Sequence, residues 1–251
     1  DYVTGVDTTL GGSGNPAPYT ALGVLQGIKA SVARVFGDPE LKGRTVAVQG
    51  LGAVGSNLVR LLKQQGARVI GCDSDIDRAR KRGDKLGIDE IVDADEIFDV
   101  DCDIFAPCAM GSSINDNTID RLKCSIVAGA ANNQLATREM GAEVLKRGIV
   151  YAPDFVINAG GLINVSDELD SEGYNAERVR FRVASIETTL DEIFEQARAE
   201  RRPPEEPCQL RAPILDQIHL VVALPSKKRG CQGLPEPARH DVPEPNRGLR
   251  G

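Results

Sequence analysis

Three glycines near residue 50 have a spacing suited to binding a phosphorylated ligand. They follow the apolar run Thr45–Gln49 and precede a helical pattern that extends to about Gln65. In this spacing the first glycine permits a tight turn, the second lets backbone N–H groups approach a pyrophosphate, and the third lets the helix pack on a sheet. The positive end of the helix faces the phosphates. The predicted cofactor-binding residues of this turn are Gly50, Gly52, Ala53, Val54 and Gly55.

An acidic residue ends the next apolar run. Asp73 closes Arg68-Val-Ile-Gly-Cys-Asp, at the distance where a carboxylate accepts hydrogen bonds from an adenosine ribose. This position favours NAD over a 2′-phosphorylated cofactor. The alternative is a strand-to-helix turn whose glycines serve packing only, but strand, turn, helix and acidic residue all fall in register here.

Alternating apolar runs and breakers predict the elements that position this turn. The fold class expected is α/β, a Rossmann-type doubly wound, mostly parallel sheet with flanking helices and an atypical Pro/Arg-rich tail. A helix is predicted over Ala21–Phe36, and a long amphipathic segment over Asn175–Ala199. The predicted strands are Thr45–Gln49, Arg68–Asp73, Glu90–Val92, Cys102–Ala106, Ser125–Ala128 and Ile149–Ala152.

Three polar or glycine-rich segments follow the last three predicted strands. They cover residues 105–111, 128–134 and 152–161. Ligands of open α/β sheets bind at the carboxyl ends of the strands, where small residues admit a flat ring and side-chain amides pair with a carboxamide or a ribose hydroxyl. Asn132, Asn133 and Asn158 are candidates for this role. Capping of helices or turns is the alternative for any one of them.

Composition excludes several classes of partner. A net charge of −7, a pI near 5.0 and the lack of a basic patch argue against nucleic acid and anionic membranes. The sequence shows no transmembrane or secretory stretch. Six cysteines without a C-x-x-C pair, and only two histidines, indicate neither a metal site nor a disulfide framework. We expect free thiols in the cytoplasm.

The composition changes near Arg202. Residues 201–251 contain nine of the fourteen prolines and little apolar periodicity beyond 214–224, which predicts poor order. A change of reading frame and a native disordered extension both explain this break. The expected domains are a hinge segment with a leading helix (1–40), an NAD-binding core (41–165), a helical return (166–200) and the tail (201–251). Because the chain starts at Asp1 without Met, we expect a fragment or a trimmed protein.

Several segments together resemble the glutamate, leucine, phenylalanine and valine dehydrogenase family, most closely its leucine dehydrogenase branch. They cover most of residues 1–200 in the family's order. The segments are Asp1-Tyr-Val-Thr-Gly-Val, Gly14-Asn-Pro-Ala-Pro-Tyr-Thr-Ala, Val48-Gln-Gly-Leu-Gly-Ala-Val-Gly, Cys102-Asp-Ile-Phe-Ala-Pro-Cys-Ala, Ala131-Asn-Asn-Gln-Leu and Tyr151-Ala-Pro-Asp-Phe-Val-Ile-Asn-Ala-Gly-Gly-Leu-Ile-Asn-Val.

The resemblance implies NAD-dependent oxidative deamination of an L-amino acid to a 2-oxo acid and ammonia, and a homo-oligomer for the full-length enzyme. The implied cofactor-binding residues beyond the glycine turn are Thr20, Asp73, Cys108, Ala109, Asn132 and Asn158. The implied substrate pocket contains Thr4, Asn133, Leu162 and Val165. The last two lie three residues apart on one helical face, although helix-to-sheet packing is the alternative. Their aliphatic side chains favour leucine, isoleucine or valine, because a glutamate enzyme would need a cation there.

The family's catalytic residues have no match in this sequence. The resemblance places two lysines and an aspartate in a domain preceding Asp1, and Lys29 and Lys42 are no substitutes because each lies in a segment that reads as a helix face or as the approach to a strand. We therefore expect NAD binding but little turnover from this chain alone. An inactive NAD-binding fragment is the alternative function. A 2-hydroxy acid dehydrogenase ranks third, since His219 and His240, the two histidines, both lie in the tail.

Overall fold

The computed structural model describes residues 5–204, and six parallel strands form its one sheet within that range. The strand order is β3-β2-β1-β4-β5-β6, with all neighbouring strands parallel. This is the order of a doubly wound Rossmann-type sheet, so the predicted fold class is confirmed. The strands are β1 (Thr45–Gln49), β2 (Arg68–Cys72), β3 (Glu90–Ile91), β4 (Ile104–Pro107), β5 (Ile126–Val127) and β6 (Val150–Tyr151).

Eight helices in the described range connect and cover these strands. They are α1 (Ala17–Phe36), α2 (Ala53–Gln64), α3 (Ile76–Leu86), α4 (Glu139–Lys146), α5 (Asp154–Ile157), α6 (Gly160–Ser166), α7 (Ala176–Ala184) and α8 (Ile186–Glu200). Short 3-10 turns occur at Thr8–Leu10, Glu96–Asp99 and Asp167–Leu169.

The sheet separates two apolar cores because successive strand residues point to opposite faces. Val46 and Val48 of β1 belong to the core beneath α1, α2 and α6–α8. Ala47, between them, belongs to the opposite core, which contains Phe98 and Val144. Strands buried on both faces read as continuous apolar runs, which is why the sequence identified them.

The boundaries of several predicted elements were wrong by one to four residues. β4 begins at Ile104 rather than Cys102 and includes Pro107, while α1 begins at Ala17 because Pro16 precedes its first turn. β2, β3, β5 and β6 are one or two residues shorter than predicted. The amphipathic segment 175–199 is divided into α7 and α8 at Ser185, whose hydroxyl donates to the Arg182 carbonyl at 2.7 Å. This bond competes with a continuous helix.

Several predictions concern residues outside 5–204. Thr4, His219, His240 and the tail from residue 205 onward lie there. Among the described residues, Cys72, Cys102, Cys108 and Cys124 are free thiols. No helix within 5–204 has the length and apolar character needed to cross a membrane.

Candidate functional site

The glycine turn joins the carboxyl end of β1 to α2, and each of its three glycines has different surroundings. Gly50 has a φ of +95°, and a Cβ there would lie 2.8 Å from the Ala109 Cβ. A Cβ at Gly55 would lie 1.9 Å from the Gly50 carbonyl oxygen. A Cβ at Gly52, in contrast, would meet nothing within 4 Å. Two glycines are therefore required by packing, and the third keeps a space open.

The open space at Gly52 adjoins the N-terminus of α2. Gly52 precedes α2 and supplies no side-chain cap, and the helix has no acidic residue in its first turn. The first N–H groups of a helix have no partner within it and attract anions. Ala53 and Val54 are the first residues of α2. The turn thus combines open space at Gly52 with the kind of backbone donors that attract a phosphate group.

Asp73 lies directly beside this turn. Its carboxylate is 8% exposed, and its Oδ2 accepts a hydrogen bond of 3.0 Å from the Leu51 N–H. Its Oδ1 accepts a hydrogen bond from the Arg78 guanidinium. The predicted ribose ligand is therefore fixed to the glycine turn by one oxygen and to α3 by the other.

The charge of Asp73 is stabilised by these partners. Burial alone would raise the pKa of the carboxyl, but the hydrogen bonds from Arg78 and from the Leu51 N–H hold the pKa of Asp73 below its ordinary value. A second guanidinium, that of Arg82, lies 4.0 Å from Asp73 and donates to the Leu51 carbonyl. Sequence reasoning missed Arg78 and Arg82; their spacing of four residues after an acidic strand end was the available signal.

A series of contacts brings the loops after β1, β4, β5 and β6 together. Ala109, after β4, packs on Gly50, and Gly111 lies so close to the next loop that a Cβ there would meet the Asn132 carbonyl oxygen at 2.5 Å. Asn158, after β6, donates its amide to Asn132 Oδ1 at 2.6 Å and to the Ala130 carbonyl at 3.3 Å. The structure therefore places Ala109, Asn132 and Asn158 in adjoining loops at one edge of the sheet.

Cys108 is in the same edge but does not have the properties of a nucleophile. Burial raises the pKa of its thiol to about 12, so the thiol is neutral near pH 7. A Cβ at Gly55 would lie 3.4 Å from the Cys108 Cβ. Cys108 thus packs beneath the glycine turn.

The first turns of α1 and α6 pack against each other. A Cβ at Gly160 would lie 2.0 Å from the Tyr19 carbonyl oxygen, and one at Gly161 would lie 2.3 Å from the Thr20 Oγ1. Only glycine permits this approach. Thr20 also donates its hydroxyl to the Pro16 carbonyl at 3.2 Å. The close approach fixes Thr20 beside the segment that contains Asn158.

The predicted pocket residues are only partly brought together. Val165, with Gly14, Asn15 and Pro16, lines a cavity of about 530 Å³. Leu162, one turn earlier on α6, is 50% exposed. Asn133 is exposed and adopts a φ of +52° in the loop after β5. Glu168, which sequence reasoning missed, anchors the segment opposite Val165 by accepting hydrogen bonds from Gly5, Val6 and Ser13.

The fold and these loops define a class of protein. A strand order of 3-2-1-4-5-6 with a glycine turn at the β1/β4 crevice, where the order reverses, is that of a dinucleotide-binding domain. The model of the family described as "Glutamate/Leucine/Phenylalanine/Valine dehydrogenase" matches residues 11–79 and 73–216. The chain belongs to this family, as the resemblance predicted.

Individual relatives differ in the amino acid that their names specify. Leucine dehydrogenase of Thermoactinomyces intermedius is 50% identical over 202 residues, which are 80% of this chain and 54% of that protein. Phenylalanine dehydrogenase of the same organism is 44% identical over 200 residues, 78% of this chain and 53% of that protein. The structure of L-tryptophan dehydrogenase from Nostoc punctiforme has 42% identity and a TM-score of 0.75, covering 83% of this chain and 62% of that one. This chain therefore spans about half the length of the curated relatives it matches.

Proposed function

We propose that this chain is the cofactor-binding part of an NAD-dependent enzyme that oxidatively deaminates a branched-chain L-amino acid to the 2-oxo acid and ammonia. The observation that carries the proposal is the open space at Gly52, at the N-terminus of α2 and next to Asp73. When bound, NAD supplies the two-electron acceptor for oxidation at the substrate Cα. Family membership supports the reaction class.

In this proposal the chain's residues bind and orient the cofactor. The glycine turn holds the pyrophosphate through its N–H groups, and Asp73 accepts from the adenosine ribose. Thr20, Ala109 and Asn158 lie in the adjoining segments, where small and amide side chains suit the nicotinamide half. Cys108 packs beneath the glycine turn, and Asn132 accepts a hydrogen bond from Asn158. Asn133 and Thr4 are proposed to contact the substrate.

The branched-chain substrate is proposed from α6. Leu162 is half-exposed, and Val165 lines the cavity beside residues 14–16. Both present aliphatic groups without a charge, which suits leucine, isoleucine or valine and offers no partner for a second carboxylate. An amino acid dehydrogenase of Thermoactinomyces intermedius that is named for leucine supports this choice.

A second candidate function is cofactor binding without turnover, and the positions of two lysines favour it. Lys42 precedes β1 and so lies at the amino edge of the sheet, opposite the glycine turn. Lys29 lies nine residues beyond Thr20 in α1, about 14 Å along the axis. Neither lysine reaches the nicotinamide side as a general base.

Two parallel measurements on the purified chain test both candidates. NADH binding is followed by ligand fluorescence, and leucine-dependent reduction of NAD is followed by absorbance, with valine, isoleucine and glutamate for comparison. Binding without turnover is the result we expect of this chain alone and supports the second candidate, whereas binding with turnover on aliphatic substrates would contradict that expectation and support the first. Loss of both would contradict the proposed site. Leu162→Ala, at a half-exposed position, should leave NADH binding unchanged and, where leucine-dependent turnover is measured, raise the KM for leucine about tenfold.

We also propose that the full-length enzyme is a cytoplasmic homo-oligomer. The four free thiols among residues 5–204 suit a reducing compartment. Phe181 and Leu169 are large apolar side chains left exposed, as expected for a subunit interface. Sedimentation velocity of the purified chain measures the assembly directly.

A further inference from the structure

A cavity of about 420 Å³ lies beside β6, the last strand of the sheet. Val150 and Tyr151 of that strand line the cavity together with residues of α4 and α8. Val144 of α4 belongs to the apolar core on one face of the sheet, and Phe194 of α8 belongs to the core on the opposite face. The cavity therefore lies at the edge of the sheet, where side chains of both cores border it.

This cavity is separate from the proposed cofactor site. Gly148 and Ile149, which precede β6, contribute to its lining, so the cavity is at the amino edge of the parallel sheet. Arg34, in the last turn of α1, lines it as well. Thr20, in the first turn of the same helix, is about 21 Å from Arg34 along the axis. Cofactor binding by the glycine turn therefore leaves this cavity unused.

Within the described range, every charged residue of the cavity lining is an arginine. Glu195 of α8 lies 2.9 Å from Arg34 and 3.8 Å from Arg198. Glu200 lies 3.8 Å from Arg202. Within 4.0 Å, two carboxylates thus face three of the four guanidinium groups, and this positive excess favours an occupant with acidic residues. The four arginines of the lining are Arg34, Arg198, Arg201 and Arg202.

The chain continues from the rim of this cavity. Pro204, the last described residue, is part of the lining. The sequence after it has one extended apolar run, residues 214–224, with eight aliphatic side chains and Asp216 as the charged residue. Nine residues separate Pro204 from Ile214, and an extended chain of that length spans about 30 Å. The run is thus tethered within reach of the cavity, at an effective concentration in the millimolar range.

We propose that residues 214–224 dock in this cavity and fill it with aliphatic side chains, so that the chain covers the apolar edge of its own sheet. Burial of apolar surface favours this docking, because Leu145 on the cavity lining is 46% exposed. Charge favours it as well, since residues 205–224 contain three acidic residues and one arginine. The short tether adds little loop-closure entropy. The inference does not depend on the proposed function.

Hydrogen exchange of the full chain, followed by mass spectrometry of peptides, tests the docking directly. Amides of 214–224 should exchange at least about tenfold more slowly than the intrinsic rates of an unstructured chain. Leu220→Asp places a charge in the apolar run, and burial of an unpaired charge is unfavourable. This variant should therefore lose the protection and accelerate exchange in α4 and at the end of α8. Leu234→Asp is the matched control, because it places the same charge after Pro204 but outside the run.

A reciprocal substitution in the cavity lining identifies the surface on which the run docks. Leu145→Asp, at a 46% exposed position of α4, should accelerate exchange of 214–224 about tenfold or more. Leu169→Asp, at a 51% exposed position that does not line the cavity, should leave this exchange unchanged. A circular dichroism melt of each variant checks that the sheet remains folded.

Four results would overturn the inference. Exchange of 214–224 at intrinsic rates in the parent protein would show that the run is not docked. Protection that rises with protein concentration would show that the run docks on a second copy of the chain. Protection that survives Leu145→Asp would place the run elsewhere. A small molecule that native mass spectrometry finds on the parent protein but not on Leu145→Asp would be a different occupant of the cavity.

Discussion

Gly52 and Gly55 are three residues apart, yet substitution by alanine should lower the stability of the fold at Gly55 and leave it nearly unchanged at Gly52. A Cβ at Gly55 would collide with the Gly50 carbonyl, whereas a Cβ at Gly52 would enter open space. Gly55→Ala should therefore lower the free energy of unfolding by about 1–3 kcal/mol. Gly52→Ala should change it by less than about 1 kcal/mol, since the φ of −66° at Gly52 suits alanine.

Nucleotide affinity should separate the same two variants again. The methyl group of Gly52→Ala occupies the space proposed for the pyrophosphate, so NADH binding should weaken at least about tenfold in a stably folded protein. Urea denaturation gives the stabilities, and fluorescence titration gives the affinities. Unchanged NADH binding by Gly52→Ala would show that the cofactor does not approach this turn.

The site residues that could be predicted from the sequence are those whose roles follow from their immediate neighbours along the chain. Gly50, Gly52 and Gly55 follow from the backbone requirements of one turn, and Asp73 from its place at a strand end. Arg78 and Arg82 were missed because the reach of a long side chain depends on where α3 starts. Asp75 sets that start by a hydrogen bond that sequence alone does not reveal.

One carboxylate near Val165 accepts hydrogen bonds from three backbone N–H groups of the segment before α1. Glu168 accepts hydrogen bonds from the backbone N–H groups of Gly5 at 3.1 Å, Val6 at 3.2 Å and Ser13 at 2.5 Å. Burial opposes its ionisation, but these donors hold the pKa of Glu168 below its ordinary value. The segment before α1 is thus tied to α6 by the 3-10 turn that follows it.

Glu168→Gln should release this segment while leaving the sheet intact. An amide oxygen is a weaker acceptor than a carboxylate, so hydrogen exchange at Val6 and Ser13 should accelerate about tenfold or more, without change in β1 or β4. Glu172→Gln is the control, because Glu172 is an exposed carboxylate four residues later whose 3.6 Å ion pair is with Arg178. Equal acceleration in both variants would contradict the anchoring role.

The pH dependence of the anchor follows from the lowered pKa. Because the folded-state pKa lies below the unfolded value near 4.3, the stabilisation is present above that value and is lost as the pH falls through the folded pKa. Protection of Val6 and Ser13, measured at several pH values and corrected for intrinsic exchange, should therefore be constant from pH 5 upward. It should decrease only below about pH 4.

At the scale of elements, the sequence predicted where helices and strands lie better than it predicted the residues at which they begin and end. Continuous apolar runs identified all six strands, because both faces of the sheet are buried. The division of 175–199 was not predicted, since Val179, Val183, Ile186 and Leu190 keep one buried stripe across Ser185. Apolar periodicity shows which side of a helix is buried, but it does not show where a single serine hydroxyl ends the helix.

At the scale of the whole molecule, the order of the parallel strands explains how the site is assembled. β1 lies between β2 and β4, so the loops that follow these three strands carry Gly50, Asp73 and Ala109 to one edge. The sequence predicted this convergence because parallel strands have a common carboxyl edge. It could not predict the contact of Gly111 with Asn132 or of Gly160 with Tyr19, since these depend on how closely two loops pack.

Burial makes the four thiols among the described residues unreactive. Burial raises the pKa of Cys72 and Cys124 to about 11 and that of Cys108 to about 12, and it raises the pKa of Cys102 as well. Thiolates are the reactive species. In a Cys208→Ser/Cys231→Ser variant, which removes the thiols outside the described residues, we expect negligible labelling by a disulfide reagent at pH 8 and four labelled thiols after unfolding in guanidinium.

Stability should decrease at alkaline pH for the same reason. Each folded-state thiol pKa lies above the unfolded value near 8.5, so the folded protein retains protons that the unfolded chain has lost. The free energy of unfolding should therefore fall as the pH rises from about 8.5 towards 11, the folded value of Cys72 and Cys124. Cys72→Val, which keeps an apolar side chain at a buried position of β2, should reduce this decrease. A decrease of the same size in Cys72→Val and in the parent protein would show that the buried thiol at this position does not couple folding to pH.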